Sequence, residues 1–117
     1  MPSEARTTLD DQLTAVRAFR DERDWARFHT PKDLACAISV EAAELLDAFR
    51  WSGPDTGVDG REDAVREELA DVLIYCLYLA DAIGADPAAL IAQKLAANEA
   101  HYPADKARGN ARKYTEL

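Results

Sequence analysis

The chain has 117 residues, 48% of them hydrophobic and 31% charged, with a formal net charge of −8. That length suits one domain over residues 1–117 with a single core, and no apolar run reaches the roughly 18 residues that span a bilayer. The acidic balance repels nucleic-acid backbone, so neither a nucleic-acid polymer nor a membrane is expected as a partner, and any polyphosphate ligand would need cations to screen it.

In chain order, the opening MPSEARTTLDDQ carries no apolar leader core, so a cytoplasmic protein is expected. Thr8 to Asp11 resembles a capping box, and the helical spacing after it predicts a first helix to about Trp25. Thr30-Pro31 supplies an N-cap followed by proline at the first helical position, opening a second helix to about Arg50. Ser52 to Gly60 is rich in glycine, proline and aspartate and reads as a loop. Asp59-Gly-Arg-Glu62 looks like the cap of a third helix that stops at Gly84, and Asp86-Pro87 repeats the cap-plus-proline device for a fourth, which ends before Pro103. The remainder, 103–117, is expected to be a basic, irregular tail behind a helical core of about 8–102. Together these elements predict an all-α four-helix bundle. Val72 to Ala80 is apolar almost all the way round, which predicts a homo-oligomer, a dimer or a tetramer built as a dimer of dimers. Cys36 and Cys76 form no close pair and read as reduced, buried thiols.

Chemistry concentrates on the second and third helices. At about 100° per residue, Leu34, Ile38, Ala42, Leu45 and Phe49 form one stripe, with Glu41 inside it and Glu44 on its flank. On the third helix, Val65, Leu69, Val72, Cys76, Leu79 and Ile83 form a stripe edged by Glu68, Asp71 and Tyr75. A carboxylate against an apolar stripe is costly without a compensating cation or donors. Two helices side by side would bring both pairs together, and four converging carboxylates call for a hard cation, magnesium or manganese rather than zinc. Such spacings also occur on solvated faces, as Glu67 and Asp47 illustrate. A di-iron bundle is excluded, because neither His29 nor His101 has a glutamate three residues before it.

Glu41-x-x-Glu44 and Glu68-x-x-Asp71 resemble the motif of the MazG-like all-α nucleotide pyrophosphohydrolases. Glu22 to Trp25, Phe28 to Pro31, Phe49-Arg-Trp51, Glu67 to Tyr75, Tyr102-Pro103 and Lys113 to Leu117 are similar to the dCTP pyrophosphatase branch. The resemblance runs from about Thr8 to the last residue. It implies magnesium-dependent hydrolysis of a nucleoside triphosphate to the monophosphate and pyrophosphate, with dCTP or a modified dCTP first and nucleotide-pool cleaning as the role. Glu41, Glu44, Glu68 and Asp71 would hold the metal, and Glu41 or Glu44 would activate water. Lys94 and Asn98 would contact phosphate and sugar; Arg108, Arg112, Lys113 and Tyr114 would close over the phosphates or form a solvated tail. Trp25, Trp51 and Tyr75 would enclose the base, and His29 would contact base or phosphate or cap its turn. Val16 stands where that branch can carry a histidine, so a broad or dUTP-preferring hydrolase is an alternative, and a non-catalytic helical oligomer that binds nucleotide or protein is another.

Overall fold

The computed structural model describes residues 6–117, so the stretch read above for a leader lies partly outside the described residues. Five α-helices follow in order: α1 Leu9–Glu22, α2 Pro31–Asp47, α3 Glu62–Ala82, α4 Pro87–His101 and the single turn α5 Ala104–Ala107. Short 3-10 turns lie at Ala26–Phe28 and Tyr114–Glu116, and no strand occurs among the described residues.

Local chemistry sets the helix starts. The Thr8 hydroxyl accepts from the Asp11 amide at 3.0 Å while the Asp11 carboxylate accepts from the Thr8 amide at 3.1 Å, a reciprocal box that satisfies two otherwise unpaired donors. The same backbone hydrogen bond holds the Asp11 carboxyl below its usual range. Thr30 accepts from the Asp33 amide at 3.1 Å ahead of Pro31, and Asp86 accepts from the Ala89 amide at 2.9 Å ahead of Pro87. The start of α3 departs from expectation. Its cap position is Arg61, which makes no side-chain cap, and Glu62 instead accepts from the Gly60 amide at 3.1 Å.

Two helix ends fall short of those expected. α1 stops at Glu22 because Asp24 takes φ +54°, which turns the chain and leaves Trp25 outside the helix. α2 stops at Asp47, and Trp51 also has positive φ, +67°. Nor is the tail irregular throughout: Asn110 donates to the Lys106 carbonyl at 3.1 Å and accepts from the Arg112 amide at 3.0 Å, which folds it between α5 and the last turn.

The chain divides into two compact units, the first ending at Gly84 and the second spanning Ala85–Leu117. In the first, α3 packs along α2 and also meets α1. The buried positions there are Leu13, Leu34, Leu77, Tyr78 and Ala80, with Leu34 only 2% exposed. Three long-range hydrogen bonds fasten α1 to α3. Asp81 accepts from Arg17 at 2.7 Å and from Arg20 at 2.6 Å, and the Tyr78 hydroxyl donates to the Val16 carbonyl at 2.8 Å. Hydrogen bonding from Arg20 above all holds the Asp81 carboxyl below its usual range.

Burial on α2 and α3 revises the expected stripes. On α2 the inward face is Leu34, Ala37, Ile38, Glu41 and Leu45, while Ala42 is exposed. On α3 the line Glu68, Asp71, Tyr75 and Tyr78 turns inward, whereas Leu69, Leu73, Cys76 and Ile83 are exposed. Apolar residues surround this helix, so periodicity alone could not say which side meets α2. Leu73 is 56% exposed and Leu46 on α2 is 72% exposed, leaving apolar surface uncovered in the single chain. Both cysteines are free, but contrary to expectation both are exposed.

Candidate functional site

Glu41 shares the inward face of α2 with Leu34 and Leu45, and Glu68 shares that of α3 with Val72 and Tyr75. Because these two helices lie against each other, their acidic positions meet. One carboxylate oxygen from each of Glu41, Glu44 and Glu68 lies within 4.8 Å of the others. Glu41 and Glu68 are half-buried and Glu44 is exposed. The Oε2 atoms of Glu41 and Glu68 are buried with no hydrogen-bond partner.

That arrangement is unfavourable for carboxylates alone. Burial pushes the Glu41 carboxyl above its ordinary range, followed by repulsion from Glu44 and Asp71. Burial likewise pushes Glu68 up, with Glu44, Asp71 and Glu41 adding to it. Asp71 is therefore close enough to act electrostatically on both, although it lies outside the tight triad. Two buried, unpaired oxygens beside a third carboxylate fit a hard divalent cation, whose charge would offset both the desolvation and the repulsion.

Asp71 also lines a cavity of about 370 Å³, together with Val16 and Phe19 of α1, Trp25 and His29 of the following turn, and Tyr75 and Tyr78 of α3. Ala15 and Ile74 complete the wall. Trp25 meets Phe19 edge-on at 5.8 Å between ring centroids, and His29 lies 4.7 Å from the Tyr78 ring. Tyr75 meets Tyr78 edge-on at 6.3 Å. The cavity thus combines aromatic side chains, which can stack on a flat ring, with the Asp71 carboxylate, beside which an anionic chain would need a screening cation.

Of the expected aromatic contacts, Trp25, His29 and Tyr75 line this cavity and Trp51 does not. Trp51 is 92% exposed, on a residue with positive φ. The remaining positions belong to the second unit. Lys94 is exposed and Asn98 half-buried, one turn apart on α4. Arg108, Arg112 and Lys113 are exposed, while Tyr114 stacks on His101 at 4.3 Å and meets Tyr102 edge-on at 5.9 Å. Tyr78 was missed in the sequence. Its signal was there, since the spacing of 68, 71, 75 and 78 carries the inward line of α3 one step further, but its place in an apolar run hid it.

The sequence profile of the MazG-like family matches residues 36–117. Human dCTP pyrophosphatase 1 is 39% identical over 115 residues, covering 94% of this chain and 68% of that protein. The rat protein of the same name is 37% identical over the same shares. Among solved structures, the crystal structure of a pyrophosphatase from Archaeoglobus fulgidus matches with a TM-score of 0.76 and 38% identity, over 88% of this chain and 99% of that one. Both the profile and the identity to curated relatives cover most of the chain that builds the site, and the chain belongs to the MazG-like family.

Proposed function

We propose that this chain is a nucleoside triphosphate pyrophosphohydrolase that cleaves the α–β phosphoanhydride, releasing the monophosphate and pyrophosphate, with dCTP or a modified dCTP as its substrate. Its family and its dCTP pyrophosphatase relatives support the reaction class. One observation carries the site: Glu41, Glu44 and Glu68 converge with two oxygens buried and unpaired, beside an aromatic cavity that Asp71 joins.

Magnesium, or manganese in its place, would be held by Glu41, Glu44 and Glu68 with Asp71 as a further ligand. When bound, the metal screens the triphosphate, polarises the phosphoryl group and acidifies water. Glu41 or Glu44 orients the attacking water and takes its proton on a carboxylate oxygen. Trp25 and Tyr75 enclose the base, with His29 at its edge. Trp51, Lys94, Asn98, Arg108, Arg112, Lys113 and Tyr114 contact base, sugar or phosphates, from the same or a neighbouring subunit. The uncovered apolar residues Leu69, Leu73 and Ile83 support a homo-oligomer, dimer or tetramer, built on the helical bundle. No single helix among the described residues is long and apolar enough to cross a membrane, and we place the enzyme in the cytoplasm, cleaning the nucleotide pool.

Val16 in the cavity wall has no polar side-chain group and favours a second reading, a hydrolase of broad base preference that includes dUTP. Incubating the full chain with each triphosphate and magnesium, and measuring pyrophosphate release, tests both. dCTP should be turned over fastest. Equal rates on dCTP and dUTP would select the broad reading, and no release from any triphosphate with magnesium or manganese would sink the enzyme.

A further inference from the structure

Among the described residues Trp51 is the most exposed large hydrophobic side chain, at 92%, and it does not line the cavity. Its backbone takes φ +67°, a left-handed conformation that a bulky residue keeps only where its surroundings hold it there. Those surroundings lie on both sides of it in the connection between α2 and α3.

The Ser52 amide donates to the Phe49 carbonyl at 3.1 Å, closing a turn with Arg50 and Trp51 at its centre. The Asp55 amide then donates to the Ser52 carbonyl at 3.2 Å. Single bonds of this kind contribute little each. Arg61, at the start of α3, adds a grip on either side of the turn. Before Trp51, its guanidinium lies 5.7 Å from the centroid of the Phe49 ring, within cation–π range. Beyond Trp51, its Nη1 donates to the Gly57 carbonyl at 2.6 Å and to the Asp55 carboxylate at 3.4 Å. Asp55 also accepts from the Gly57 amide at 2.9 Å, and that bond above all holds its carboxyl below the usual range. Only a planar, multiply donating cation can lie near a ring while serving two acceptors. The Arg61 side chain is itself only 19% exposed, so the brace is packed beneath a ring that stands in solvent.

We propose that Arg61 is a positioning residue, which fixes the left-handed turn at Trp51 and so presents the indole ready-placed to the nucleotide. This rests on Trp51 contacting the nucleotide, as proposed above. A ring that wanders among orientations weakens binding by the fraction of time it is misplaced. The brace removes that loss before the ligand arrives, and Arg61 does so without touching the ligand.

The test is nitrogen-15 relaxation of the backbone amides over 50–57 in the full chain, joined to a double-mutant cycle in steady-state kinetics. Order parameters at Trp51 and Ser52 should be about 0.85 in the wild type and below about 0.6 in Arg61→Met. Arg61→Met should raise KM for dCTP about tenfold, as when the productive turn falls to about a tenth of the population, with kcat within about threefold. Arg61→Lys keeps the charge without the fork and should lie close to Arg61→Met. In a Trp51→Ala background, Arg61→Met should move KM by less than about twofold, because the brace acts only through that ring. Unchanged order parameters in Arg61→Met, or an equal rise in KM with and without Trp51, would overturn the proposal. A Trp51→Ala chain with the wild-type KM would overturn it too. Should Arg61→Met fail to fold, Asp55→Ala, which releases the grip beyond Trp51, carries the same measurements. Should the wild type hydrolyse no triphosphate, the hydrolase reading falls, and dissociation constants for dCMP in the same cycle decide this one.

Discussion

The acidic cluster and the aromatic cavity share Asp71 as a border but solve opposite physical problems. Glu41 and Glu68 bring unpaired oxygens inside a helix pair, where burial and mutual repulsion push their carboxyl groups up. The cavity wall instead packs aromatic rings, with the Tyr78 hydroxyl paired to the Val16 carbonyl and His29 against the Tyr78 ring. The pairs of Asp81 with Arg17 and Arg20 tie the same two helices, α1 and α3, together, while His29 Nδ1 is buried without a partner. Crowded carboxylates that await a cation mark the region proposed for chemistry, and aromatic packing marks the region proposed for recognition. Substitutions should therefore separate into losses of turnover at the first and losses of affinity or stability at the second.

The largest expected effect is at the cluster. Glu41→Gln is nearly isosteric but binds a hard cation poorly, so turnover should fall by on the order of a thousandfold or more with the fold intact by circular dichroism. Activity within tenfold of wild type would remove Glu41 from the essential ligands. In the cavity, Trp25→Ala should raise KM for dCTP by roughly 5- to 100-fold with little change in kcat, the range expected for a lost base-stacking face. A matching fall in kcat would blur the proposed division.

Asp81→Asn tests the packed side of the comparison. It leaves Arg17 and the part-buried Arg20 without their carboxylate and should cost about 1–3 kcal/mol in denaturant unfolding. Metal affinity should stay the same, since the break lies on the α1 side of α3.

A smaller effect tests the crowding directly. Raised carboxyl pKa values contribute stability below the ordinary glutamate value of 4.5 and lose it as pH rises through the folded value. Metal-free Glu68→Gln should accordingly melt above wild type at pH 7.5, with the gap narrowing as pH falls toward 5. Taking the difference cancels His29, whose lowered pKa costs stability below its ordinary 6.5 in both proteins. A gap that widens on acidification would contradict the burial of Glu68.

Much of this was legible in the sequence where the cause is local. Thr8, Thr30-Pro31 and Asp86-Pro87 start helices as expected because a cap needs only its own next three residues. Glu41 was legible as a carboxylate inside an apolar stripe. Where the cause is long-range, the sequence was silent. The side of α3 that meets α2 is decided by packing, and an all-round apolar helix does not announce it. The ties of Asp81 to Arg17 and Arg20 span 64 and 61 residues, and no spacing rule reaches that far. Positive φ at Asp24, which is not a glycine, turns the chain out of the first helix before the Trp25 to which periodicity had carried it.

The most direct test is anomalous diffraction from crystals of the full chain grown with manganese and a dCTP analogue whose α–β bridge resists hydrolysis. An anomalous peak among the carboxylates of Glu41, Glu44 and Glu68, with the base between Trp25 and Tyr75, is the predicted result. Manganese bound elsewhere, or the base lying outside that cavity, would contradict it.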